Sequence, residues 1–153
     1  MGISYETWIF NGEPINGGAA PHLPLLTPAA ILSRAADVIE RNGLAHGAYH
    51  RRQRNLKSHD APVCTLGAIA IAVGAEPHAW EEADFWKREL ATAAVAIDAL
   101  LDFLGFDAEE TPDETLGSWN DAHSAVAVIR ELRAAAREAT RHELNTKGAT
   151  RLT

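Results

Sequence analysis

Apolar positions recur at helical spacing over three stretches of this chain, and a fourth stretch is apolar throughout. In the first, Ile31, Leu32, Ala35, Val38 and Ile39 share one helix face. Thr27 stands as N-cap, Pro28 occupies the first helical position, and Asn42-Gly43 supplies a left-handed stop. The uncharged run Pro62-Val63-Cys64-Thr65-Leu66-Gly67-Ala68-Ile69-Ala70-Ile71-Ala72-Val73 is too short to cross a bilayer as a helix and too apolar to lie on a surface. It is expected at the buried centre, as a helix capped by Asp60 with Pro62 in its first turn. Its β-branched residues would also suit a buried strand, but its many alanines favour the helix. Small residues Gly67, Ala68, Ala70 and Ala72 would let neighbouring helices come close, which makes the run a packing axis.

The third stretch places Leu90, Ala93, Ala94, Ile97, Leu100, Leu101 and Leu104 on one face, with Asp98 and Asp102 off it, and Gly105 ends it. A last helix is expected from about Ser124 to Arg141, with Val126, Ile129, Leu132, Ala136 and Ala139 inward, and a frayed tail follows over residues 145–153. Phe106 to Gly117 reads as an acidic connector. The pattern predicts an all-α, single-domain bundle of about four principal helices around a buried central helix, spanning residues 27–144. Residues 1–26 read as an arm whose Tyr5, Trp8, Ile9 and Phe10 are too apolar for a free tail, so it is expected to pack on the body or on a second copy.

Composition narrows the classes of function. At 153 residues the chain can bury one sizeable core, and its 46% hydrophobic and 23% charged residues are those of a globular domain. Its net charge of −7 makes nucleic acid an unlikely partner, because no cation excess is present to release counterions from a phosphate backbone. A single cysteine excludes an intramolecular disulfide and, with no charged and then apolar leader at the start, the expected compartment is the cytoplasm. No membrane segment and no cofactor are expected.

Set out in order, Asn42-Gly43, Gly47-Ala48, Val63-Cys64-Thr65-Leu66-Gly67-Ala68, Trp119-Asn120-Asp121 and a closing amphipathic helix make the chain resemble DUF6197, an uncharacterised family of small proteins from actinobacteria and their phages. The resemblance covers roughly residues 28–140. It implies the fold and a bacterial or phage source, and no activity. The aromatic arm lies outside it, and the segment from Arg51 to His59 is more basic than the family pattern.

Several residues could carry chemistry. Cys64, near a helix start whose dipole lowers a thiol pKa, could be a nucleophile with His123 and Asn120 or Asp121 beside it; a packed core thiol is the competing reading. His46 and His50, four apart, could bind a metal with His59 and Cys64, although Gly47 lies between them and the spacing matches no familiar zinc pattern. Trp119 with Asp121 could form a binding platform; structurally, Trp119 would anchor the connector and Asn120 or Asp121 would cap the last helix. Arg51, Arg52, Arg54 and Lys57, next to Tyr49, form the best local exception to the acidic average and could grip phosphate, an acidic protein surface, or the acidic connector of another copy around Glu109 and Glu110; a solvated loop is the competing reading. Trp8, Phe10, Trp80 and Trp86 are of the types that anchor interfaces.

The expected function is a non-enzymatic protein-interaction module that binds another protein or itself through the aromatic arm and the basic loop. One alternative is a small-molecule or nucleotide binder with a pocket lined by Trp119 and gated by the arginine loop. Another is a Cys64-dependent hydrolase or transferase.

Overall fold

A computed structural model describes residues 26–81, 88–107 and 111–152. The aromatic arm, with Tyr5, Trp8, Ile9 and Phe10, lies outside these residues, as do Phe85, Trp86, Glu109 and Glu110.

Five helices form an all-α bundle, and no strand occurs among the described residues. The first, α1, spans Pro28–Asn42. The Thr27 hydroxyl accepts a hydrogen bond from the Ala30 amide at 3.1 Å, satisfying one of the free donors at the helix start. Gly43 ends the helix at φ +101°, a value that favours glycine, and its amide bonds the Ile39 carbonyl at 2.8 Å. Ile31, Leu32, Ala35, Val38 and Ile39 are all buried, so the periodic face is the packed face. The most extensive contact of α1 is with the last helix.

Helix α2 covers Thr65–Ala72, eight residues of the apolar run. The run is split: Pro62 and Val63 precede the helix, which starts four residues later than expected, with Cys64 and not Asp60 as its N-cap. The reason is pairing with distant backbone. Val63 bridges Leu44 on one side and His50 on the other; its carbonyl accepts from the Ala45 amide at 2.8 Å and its amide donates to the Gly43 carbonyl at 3.1 Å. Pro62 accepts from the Arg51 amide at 2.8 Å and Cys64 donates to the Tyr49 carbonyl at 3.1 Å. These bonds satisfy polar backbone that burial would otherwise strand, and they hold Val63 extended. Asp60 ends a short 3-10 turn, Ser58–Asp60.

A second 3-10 turn, Ala79–Glu81, packs on α2, where the Trp80 indole N–H donates to the Leu66 carbonyl at 2.7 Å. Helix α3, Arg88–Leu104, buries Leu90, Ala93, Ala96, Ile97, Leu100 and Leu101. The expected acidic connector is partly a helix: α4 runs Pro112–Asp121, with Pro112 in its first turn and Asp113 and Glu114 placed where carboxylates favour a helix start. Leu116 and Trp119 are the apolar side chains it buries. Finally, α5 spans Ala125–Leu152 and continues well past Arg141, so the tail expected to fray is helical. Its start is capped by Ser124, whose hydroxyl accepts from the Ala127 amide at 3.2 Å. Arg133 then ties α5 to α1 through Asp37 at 3.3 Å and Glu40 at 2.5 Å. No helix among the described residues is long and apolar enough to cross a membrane.

Candidate functional site

The segment between α1 and α2 carries most of the residues singled out by sequence, and the structure fastens it at both ends. At one end, Asn42 Nδ2 donates to the carbonyls of His59 and Ala61 at 2.8 and 3.2 Å. At the other, the Tyr49, Arg51 and Val63 backbone bonds hold the stems to the start of α2. Between them Arg51, Arg52, Gln53, Arg54, Asn55, Leu56 and Lys57 are all exposed. The loop is not a loose tether. Leu56 donates its amide to the Gln53 carbonyl at 3.2 Å and Asn55 takes φ +72°, a left-handed turn that asparagine tolerates well, so the tip is a defined turn that presents Leu56 at 44% exposure. Among the described residues none of Arg51, Arg52, Arg54 and Lys57 forms an ion pair.

Beside this loop lies a cleft of about 380 Å³ bordered by His50, Arg52, Leu56, Ser58, His78 and Glu81. The His50 and His78 rings sit 5.7 Å apart between centroids, tilted by 43°. Burial, followed by His78 and Arg52, lowers the His50 pKa, so its ring is neutral near pH 7 and able both to donate and to accept a hydrogen bond. The hydroxyl of Ser58, which borders the cleft, donates to the Glu76 carboxylate.

The Trp119-Asn120-Asp121 triplet does something other than cap the last helix. It occupies the final turn of α4 and crosslinks three segments. Asn120, 1% exposed, accepts from the Thr65 amide at 2.8 Å and the Thr65 hydroxyl at 2.7 Å, and donates to the Ala45 carbonyl at 2.9 Å. Asp121 accepts from the Gly47 amide at 2.9 Å and from Asn120 at 3.1 Å; these two bonds lower its pKa. His46 Nε2 lies 2.9 Å from the His123 carbonyl, and His123 Nδ1 lies 2.6 Å from the Trp119 carbonyl. A carbonyl only accepts, so each of those ring nitrogens carries a proton. The His123 ring also rests against Trp119 at 4.9 Å. Ala45 and Gly47 are thereby pinned to the end of α4 and His46 to the residue just beyond it, which orients the whole α1–α2 segment.

Cys64 is 7% exposed, and its sulfur accepts from the Gly67 amide at 3.3 Å. Burial dominates over that amide and raises the thiol pKa, the opposite of the activation a helix start was expected to give. No hydrogen bond joins Cys64 to His123 or Asn120 among the described residues; Asn120 is committed to Thr65, Ala45 and Asp121. The histidines disperse too. His46 points to the His123 carbonyl between α4 and α5, His50 to His78, and His59 to Asp60 at 3.8 Å. No group of three or more His, Cys, Asp or Glu side chains is placed to hold a metal ion among the described residues.

Trp119 and the arginine loop border separate hollows: Trp119 shares one with Phe106, Glu114 and Ser118, whereas Arg52 lines the histidine cleft. The single pocket expected between them is therefore two. His78 and Glu81 escaped notice in the sequence, since only the fold brings them to the loop. Tyr49 is half-buried, and Trp80 is held by its bond to Leu66. Trp8, Phe10 and Trp86 lie outside the described residues.

Comparison with protein families decides the kinship. The model of a family of unknown function, DUF6197, matches residues 23–138. The chain belongs to that family. No curated protein and no solved structure matches it. The match to DUF6197 takes in the anchored loop, the Asn120 crosslink and the Cys64-capped helix, and leaves out residues 1–22 of the aromatic arm and the end of α5.

Proposed function

We propose that this DUF6197 chain is a non-enzymatic protein-interaction module of bacterial or phage origin, acting in the cytoplasm, and that it grips an acidic face of a protein partner with the Arg51–Lys57 loop. One observation carries the reading. Four cations stand exposed on a turn whose stems are hydrogen-bonded to the core, and none is neutralised by an ion pair among the described residues, in a chain with 21 acidic residues. A pre-ordered loop loses less conformational freedom on binding than a tether would, and charge complementarity speeds and orients docking. The buried, pKa-raised Cys64 supports a binding role over a nucleophilic one.

The test is fluorescence anisotropy with a labelled oligoglutamate peptide, against a neutral peptide of equal length, over a range of salt concentrations. The proposal expects a preference for the acidic peptide that fades as salt screens the contact. Equal binding of both peptides, or none of either, contradicts it.

A second reading is favoured by the cleft lined by His50, Arg52 and His78, a guanidinium and two imidazoles of the kind that bind a small anion such as a phosphate or carboxylate. Thermal shift with inorganic phosphate and nucleotides discriminates: a ligand of this cleft at 100 times its dissociation constant adds about 2.7 kcal/mol.

A further inference from the structure

A groove on the described surface is the counterpart of the interaction loop in charge and in apolar character. It has a volume of about 900 Å³ and runs between α3 and α5. Its apolar lining includes Ala99, Phe106, Ala135 and Ala139, and at its edge Val95 and Phe103 are 53% and 37% exposed. Large apolar side chains grouped at a concave surface mark interaction sites more often than isolated ones do. The rim is acidic. Asp98, Asp102, Glu138 and Glu143 line it, with His142 and without any Lys or Arg. Glu138 is met by Arg141 at 2.5 Å, but Glu143 Oε2 is buried with no hydrogen-bond partner among the described residues. A carboxylate oxygen in that condition is costly unless a donor arrives.

We propose that the Arg51–Lys57 loop of one copy docks in the α3–α5 groove of a second copy, seating Leu56 against Val95 and Phe103 and placing Arg52 and Arg54 on the acidic rim. This rests on the reading of the loop as an interaction surface, and it names the partner. The loop tip pairs an exposed leucine with four cations, and the groove pairs an apolar floor with the exposed carboxylates of Asp98 and Asp102. The two surfaces share no residue, since the cleft beside the loop and the groove have wholly different linings. The contact is therefore head to tail: each copy keeps a free loop at one end of an assembly and a free groove at the other, so association grows with concentration unless the rotation closes a ring.

Sedimentation velocity of the full chain tests this, over a concentration series and at low and high salt. Wild type is expected to self-associate and to dissociate as salt rises. R52E/R54E removes the loop and D98R/D102R removes the groove, and each alone should associate at least tenfold more weakly. Mixed in equal amounts, the two variants should form a two-chain species that grows no further, because only the intact loop of one and the intact groove of the other can meet. Far-UV circular dichroism confirms that each variant is folded; should either unfold, L56S for the loop and V95S for the groove replace them in the same mixing experiment. A wild type that stays monomeric throughout, variants that associate as wild type does, or a mixture that stays monomeric overturns the proposal. If wild type is monomeric yet binds oligoglutamate through the loop, the loop reading stands and the self-pairing alone falls.

Discussion

Asn120 accepts two hydrogen bonds from Thr65, one from its amide at 2.8 Å and one from its hydroxyl at 2.7 Å, and so joins the end of α4 to the start of α2. Because its amide nitrogen reaches Ala45 as well, one buried side chain sets how the α1–α2 segment leaves the core. The basic loop inherits its position from that joint.

Replacing Asn120 by alanine strands the Thr65 donors and the Ala45 carbonyl. The expected loss is at least about 1–3 kcal/mol, the cost of leaving a buried polar group unsatisfied. Urea unfolding measures it. A double-mutant cycle with Thr65→Val isolates the hydroxyl bond, and a coupling energy near zero would mean that the bond contributes nothing.

Gly67→Ala tests a close approach. A Cβ on Gly67 would collide with the Tyr49 carbonyl oxygen and come within 3.2 Å of the Pro77 ring. The backbone oxygen cannot rotate away, because it holds the Cys64 amide. Overpacking of this kind costs about 1–3 kcal/mol. Gly117→Ala, where nothing lies within 4 Å, is the control and should be neutral or mildly stabilising.

Cys64 should label only on unfolding. Burial raises its pKa and closes it to reagents, so the rate of reaction with a thiol reagent is expected to follow the unfolded fraction as urea is added. Complete labelling of the native protein on mixing would contradict the burial described here and revive a nucleophilic role.

Asp121 gives a pH dependence with a definite sign. Its pKa is lowered by the Gly47 amide and by Asn120, so the folded state binds a proton less readily than the unfolded chain. Its contribution is complete above the unfolded value of about 3.9 and is lost as the pH falls through the lower folded value. Asp121→Asn should therefore flatten the acid limb of the stability curve below about pH 4. The side chain is exposed and screened, so the effect will be small. An identical acid limb in both proteins would show that the bond to Gly47 adds no stability.

Helix α1 was legible because its signals are local: Thr27, Pro28, the periodic face and Gly43 sit within seventeen residues and all do what their chemistry favours. The basic loop was legible from charge alone. Helix α4 was hidden by its own acidity, since Asp113 and Glu114 resemble a solvated connector until Thr111 and Pro112 are read as a helix start. The later start of α2 and the role of Asn120 depend on partners far along the chain, Leu44 and His50 for Val63, and Ala45 and Thr65 for Asn120. No local pattern encodes such pairings. For the same reason the cleft at His50 and His78, and the separation of Trp119 from Arg52, emerged only with the fold.

The central claim is that the Arg51–Lys57 loop binds and does not merely stabilise. The direct measurement uses one preparation of R51Q/R52Q/R54Q, scored for urea unfolding and for anisotropy with labelled oligoglutamate. Exposed, unpaired side chains contribute little to folding, so the midpoint should shift by no more than about 0.5 kcal/mol while acidic-peptide binding is lost. Binding retained at the wild-type level would contradict the account, as would a loss of binding that only accompanies unfolding.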